Sequence, residues 1–173
     1  MNRRAVAIMT LAGVCLGNAG PLRADTLELS TRVSGVVEAV LVKPGQHVKK
    51  GAVLLRLDKT VLLARLDEAT AERTRAHADE ADAKRELGRA QELFSRTVSS
   101  TSELDTATLR HARAQATLSV AQARQVIAQK NLQDADLKAP LDGVVKAVPG
   151  GPGTVVAADC QPKPLVILNS GRP

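Results

Sequence analysis

The chain has no tryptophan or tyrosine, and its single aromatic side chain is Phe94. That leaves no platform on which bases could stack. The formal charge is also mild. Without Arg3, Arg4 and Arg23 of the first 24 residues, 21 Lys+Arg face 18 Asp+Glu, a net of about +3 that is too small to hold a phosphate backbone. No nucleic-acid partner is expected. The only cysteines are Cys15 and Cys160. If the N-terminal segment is removed, Cys160 is left alone and no internal disulfide is possible. No Cys/His cluster has metal-ligand spacing. His47, His77 and His111 are scattered, with no nucleophile–base pattern around them. No catalytic residue, metal or cofactor is expected, and the chain does not read as an enzyme. Gly150-Gly151-Pro152-Gly153 lacks the following helix and the Lys-Ser/Thr of a phosphate-binding loop, so it reads as a turn.

Long apolar runs are missing too. The N-terminal run from Ala5 to Gly17 is too short to span a bilayer comfortably. Arg3 and Arg4 precede it, and small residues follow. Gly17-Asn18-Ala19 or Leu22-Arg23-Ala24 would serve as a cleavage site. Residues 1–24 therefore read as a secretory signal peptide, and an uncleaved membrane anchor is the competing reading. Val14 stands where a lipobox requires Gly, Ala or Ser before Cys15, which argues against lipidation.

What the chain does have is a near-repeat. Gly35-Val36-Val37-Glu38-Ala39-Val40 leads to Pro44-Gly45 and Val48. Gly143-Val144-Val145-Lys146-Ala147-Val148 leads to Pro152-Gly153 and Val156. The shift is 108 positions, and eight of the fourteen positions from Gly35 to Val48 are identical. Both copies lie in short apolar runs broken by turn residues, including Val53-Leu54-Leu55 and Leu165-Val166-Ile167-Leu168. Such runs suit a small sandwich or flattened barrel. Each copy has one face to bury, so the two should pack on each other.

Between the copies, residues 58–135 contain no proline and are rich in Ala, Glu, Arg, Gln and Leu. Helices are expected over about 60–96 and 101–135. One heptad seam runs Leu62, Leu66, Ala69, Arg73, Ala76, Glu80, Ala83, Leu87, Ala90, Phe94. The other runs Leu104, Ala107, His111, Ala114, Leu118, Ala121, Gln125, Ala128, Leu132, Ala135. Ser100 and Glu103 form a capping-box pattern that opens the second helix. Equal helices of roughly 50 Å joined by a short polar turn predict an antiparallel coiled-coil hairpin. The polar seam positions suit either packing against neighbouring copies or a solvated edge. Arg75 and Arg124 read as exposed mid-arm residues.

Val33-Ser34-Gly35-Val36-Val37, Lys43-Pro44-Gly45-Gln46-His47-Val48-Lys49-Lys50-Gly51 and Leu55-Arg56-Leu57-Asp58 resemble the first half of the lipoyl-like domain of periplasmic adaptor proteins. These are the membrane fusion proteins of the HlyD and RND-efflux type. Ala139-Pro140-Leu141-Asp142-Gly143-Val144-Val145 resembles the start of the second half. The resemblance implies an α+β chain: a lipoyl-like, barrel-sandwich hybrid β domain made of residues 26–58 and 136–169, with the hairpin of residues 59–135 inserted. It implies a homo-oligomeric adaptor in the periplasm, associated with the inner membrane through its partners and bridging an inner-membrane RND or ABC transporter and a TolC-type outer-membrane channel. In that family the hairpin tip meets the channel through an Arg, a Leu four residues on and a Ser seven further. Arg89, Leu93 and Ser100 keep that spacing, with Glu103 and Asp105 following. The competing reading is that they are ordinary hairpin residues.

The chain also reads as a short form, without the strands for a β-barrel or membrane-proximal domain. That keeps open a truncated coiled-coil scaffold with no transport role. A third reading is a lipoyl-type carrier, because Asp58-Lys59-Thr60 sits where lipoyl domains place their modified lysine. Against it, Lys59 opens a long helix where a carrier lysine needs a tight hairpin turn.

Overall fold

The structure is a computed structural model, and it describes residues 26–97, 100–158 and 163–170. The expected signal peptide and Cys160 lie outside the described residues. Among the described residues, eight strands and two long helices follow one another: β1 (Thr26–Leu29), β2 (Gly35–Val40), β3 (His47–Val48), β4 (Val53–Leu57), α1 (Thr60–Ser95), α2 (Thr101–Asp134), β5 (Asp136–Lys138), β6 (Gly143–Ala147), β7 (Val155–Val156) and β8 (Val166–Asn169).

The strands form two four-stranded sheets, ordered β1-β8-β6-β3 and β5-β4-β2-β7, with every pairing antiparallel. Each sheet takes two strands from each half of the chain. Exchanging β1–β4 with β5–β8 converts one sheet order into the other, so the two halves are related by an internal pseudo-two-fold. The correspondence reaches single hydrogen bonds. Val37 N–H donates to the Thr154 carbonyl and Val145 N–H to the Gln46 carbonyl, both at 2.9 Å. The two chain positions just before the repeat match as well. Ser34 Oγ accepts from Ala158 N–H at 2.9 Å, and Asp142 Oδ1 accepts from Lys50 N–H at 2.6 Å. The bulges coincide too, between Val37 and Ala39 in one copy and between Val145 and Ala147 in the other. The residues that carry the family resemblance are thus largely ties between the halves. Gly51 N–H donates to the Ala139 carbonyl at 2.8 Å, and Ala139 N–H to the Ala52 carbonyl at 2.9 Å.

The core lies between the sheets. Leu54, Leu55, Leu57, Val37, Val145, Val166 and Leu168 are fully buried. Each such side chain stabilises the fold by about 1.5–3 kcal/mol relative to exposure. Leu62 and Ala135 belong to the same cluster, with Leu132 packed against it, so the root of the hairpin is sunk into the sandwich.

The hairpin itself is thin. Leu62, Ala69, Ala76 and Ala83 are buried on α1 at intervals of seven, while Ala121 is the buried residue of α2. The expected seam of α2 is shielded at every position from Leu104 to Ala135. Two expected seam residues of α1 are not: Arg73 is exposed, and Phe94 is 41% exposed. Phe94 lies in the last turn of α1, at the open end of the seam. Arg73 still reaches across, donating through Nη1 to Gln125 Oε1 at 3.0 Å.

Candidate functional site

The end of the hairpin far from the sandwich is where the three candidate residues lie. Arg89 and Leu93 are one helical turn apart, on one face of the last turns of α1. Both are exposed, and Leu93 is 46% exposed. The chain then leaves the helix through Thr97, a non-glycine residue at φ +61° whose N–H donates to the Phe94 carbonyl at 3.0 Å. Ser100 is the N-cap of α2. Its Oγ accepts from Glu103 N–H at 3.3 Å, and Glu103 Oε2 accepts from Ser100 N–H at 3.4 Å, completing the expected capping box. The hairpin turn therefore brings the three residues to one end of the arm. Ser100 already has a structural task there.

Arg89 differs from its neighbours. Arg85 pairs with Asp82 at 2.9 Å, Arg96 with Glu92 at 2.5 Å, and Arg110 crosses the hairpin to Glu86 at 2.5 Å. Arg89 has no ion pair among the described residues. Its forked guanidinium is available to carbonyls or carboxylates of a partner. Leu93 and Phe94 add an apolar surface next to it.

Below the tip, polar side chains tie the two helices together. Glu80 and His111, two expected seam positions, meet at 3.1 Å and are both largely shielded. Gln125 Nε2 donates to Thr70 Oγ1 at 3.0 Å. Arg124 Nη1 donates to Glu72 Oε1 at 2.5 Å, so this residue is a cross-hairpin tie and not merely an exposed arm residue. Arg75 is exposed as expected, with Asp79 one turn away at 3.9 Å.

At the root, Lys59 is held against the fold. Its Nζ donates to Asp136 Oδ2 at 2.7 Å, and Arg56 Nε donates to Oδ1 of the same carboxylate at 3.0 Å. Burial pushes the Asp136 carboxyl up, but the hydrogen bonds and charges of Lys59 and Arg56 outweigh it and hold the group below its ordinary value. A lysine engaged this way, at the mouth of a long helix, is not presented as a carrier lysine. Asp136 is not legible as a tie from the sequence, because a three-residue strand of sequence Asp-Leu-Lys carries too little pattern to be seen. Among the described residues, no group of three or more His, Cys, Asp or Glu is placed to hold a metal ion, and no helix is long and apolar enough to cross a membrane.

A sandwich shared by two half-motifs, with a long antiparallel hairpin inserted between them, defines a membrane fusion or periplasmic adaptor protein, a class without enzymatic activity. The sequence model of the CzcB-like, barrel-sandwich hybrid domain matches residues 25–161, and the chain belongs to that family. It is similar to the uncharacterized protein YdhJ of Escherichia coli (strain K12), with 35% identity over 73% of this chain and 44% of YdhJ. It is also similar to the multidrug resistance protein MdtA of Cronobacter turicensis, with 32% identity over 70% of this chain and 29% of MdtA. The fold matches the membrane fusion protein Spr0693 of Streptococcus pneumoniae R6 with a TM-score of 0.64 at 18% identity, over 84% of this chain and 59% of that one. The chain thus spans less than half the length of these two curated relatives.

Proposed function

We propose that the chain is the periplasmic adaptor subunit of a tripartite efflux or secretion system. In this reading it is exported by a cleaved signal peptide and works as a homo-oligomer. It bridges an inner-membrane transporter of RND or ABC type and a TolC-type outer-membrane channel, which the hairpin tip meets end-on. The observation that carries the reading is the arm itself. In a chain of this family, two helices of 36 and 34 residues carry an exposed Arg89 and Leu93, and the capping Ser100, roughly 50 Å away from the sandwich. The multidrug resistance relative favours efflux as the task.

The test is site-specific photo-crosslinking in cells that express a TolC-type channel. A crosslinker at Leu93 should capture the channel, and one at the mid-arm residue Arg75 should not. No channel adduct from Leu93, or equal adducts from both positions, would leave a scaffold without the docking role.

A further inference from the structure

One carboxylate sits where the hairpin leaves and re-enters the sandwich. The outgoing connection is Asp58-Lys59, between β4 and α1, and the return is Ala135 alone, between α2 and β5. Asp136 is the first residue after that return. It binds Lys59, on the outgoing connection, and Arg56, its antiparallel partner on β4. The backbone adds one bond between the two crossings, from Leu57 N–H to the Ala135 carbonyl at 2.9 Å. Asp58 Oδ1 accepts Thr60 N–H at 2.8 Å, which starts α1 but does not join it to the return.

We propose that Asp136, through Lys59 and Arg56, is the latch that sets the direction of the arm relative to the sandwich. Two kinds of contact hold the root. Leu62, Leu132 and Ala135 plug it into the core. Apolar burial fixes depth, but it is not directional. Charge-assisted hydrogen bonds are directional. Here they converge on a carboxylate that is 19% exposed, from two donors on different segments. The arm makes a small angular restraint large at its far end. With 36 residues in α1 the lever is about 54 Å long, so a tilt of about 10° moves the tip by about 9 Å. Asp136 is thus a positioning residue for a surface it does not touch. It also gives Lys59 its role, that of the latch's cation.

The test measures distance between spin labels in the full chain, with Cys15 and Cys160 replaced by serine. One label replaces Ser102 beside the tip, and the other replaces the exposed Lys146 on β6. The parent should give a narrow distribution. Asp136→Asn and Lys59→Gln should each widen it about twofold with helix content unchanged, and Asp136→Glu should restore most of the narrowness. Concentrated sulfate should widen the parent distribution, because it screens the latch while strengthening apolar burial. Should Asp136→Asn fail to fold, Lys59→Gln alone carries the comparison. Distributions as narrow as the parent's in both variants would overturn the latch. So would a parent that is already broad, or widening seen only in Leu62→Ala. The measurement needs no channel, so its result is independent of the docking reading.

Discussion

The amide of Gly45 donates to the carbonyl of Val145 at 2.8 Å, from a backbone at φ +84°. Under the internal two-fold this bond has a twin, from Gly153 at φ +82° to Val37, also at 2.8 Å. Each half therefore closes its turn on the other half's central strand, and neither can open alone. Amide hydrogen exchange should show Val37, Val145, Gly45 and Gly153 exchanging with one common free energy, that of opening the whole sandwich. Two separated classes, one per half, would show that the halves open independently.

Equivalent glycines in the two copies should nevertheless respond differently to a methyl group. A Cβ on Gly35 meets only Leu57 side-chain atoms at 3.6 Å or more, ordinary contact distances. A Cβ on Gly143 falls 2.6 Å from the backbone oxygen of Asn169, in the neighbouring strand. Gly143→Ala should destabilise by about 2 kcal/mol or more, and Gly35→Ala by less than about 1 kcal/mol, read from denaturant midpoints. Equal losses would mean that β8 yields at Asn169.

At the tip, Arg89→Ala and Leu93→Ala should weaken channel capture without changing stability. Arg89→Ala should have the larger effect, because a charge-assisted contact is lost. Ser100→Ala is a different experiment. It removes the N-cap of α2, so it should also cost about 1 kcal/mol. Ser100→Asp keeps a capping oxygen, so capture by that variant separates the cap from the hydroxyl's own contact. Arg75→Ala is the control and should be near-neutral. Arg124→Ala is unsuitable for that purpose because it breaks the tie to Glu72. Undiminished capture by both Arg89→Ala and Leu93→Ala would remove the tip from the interface.

Acid should loosen the root. The folded Asp136 carboxyl titrates below its ordinary value, so its contribution is complete above about pH 4 and is lost as pH falls through the lower folded value. Exposed Asp58, held down mainly by the Thr60 N–H and then by the Thr60 hydroxyl, adds a change of the same sign. Thermal melts of the parent from pH 6 to pH 2 should therefore fall more steeply than those of Asp136→Asn. Parallel slopes would contradict the ionised pairing.

Much of this architecture was legible in the sequence because it is written as period and repetition. A constant shift of 108 residues marked the two halves of one sandwich, and heptads marked the hairpin. Ser100 and Glu103 announced a cap by their spacing. What stayed hidden depends on contacts between distant segments. Arg124 looks like any surface arginine until α2 sets it opposite Glu72. Glu80 and His111 each fit a heptad seam, but only the register makes them partners. Asp136 depends on where the chain returns, at the first residue of a three-residue strand, after Ala135 has closed α2. Phe94 fits the heptad, yet it stays 41% exposed in the last turn of α1.

The sharing of strands between halves also bears on the order of assembly. No sheet can be completed from residues 26–58 alone, because β1 awaits β8 and β3 awaits β6. Joining them directly would mean closing loops of roughly 95 residues for β3 with β6 and roughly 140 for β1 with β8, at an entropic cost that rises only slowly with length. The hairpin removes most of that search. Its own contacts run between adjacent helices and form early, and once zipped it delivers β5 beside β4. The arm is then expected to nucleate the sandwich as well as extend it. Weakening the mid-seam with Ala83→Gly should slow refolding more than it speeds unfolding in a denaturant chevron. The reverse partition would place the sandwich first.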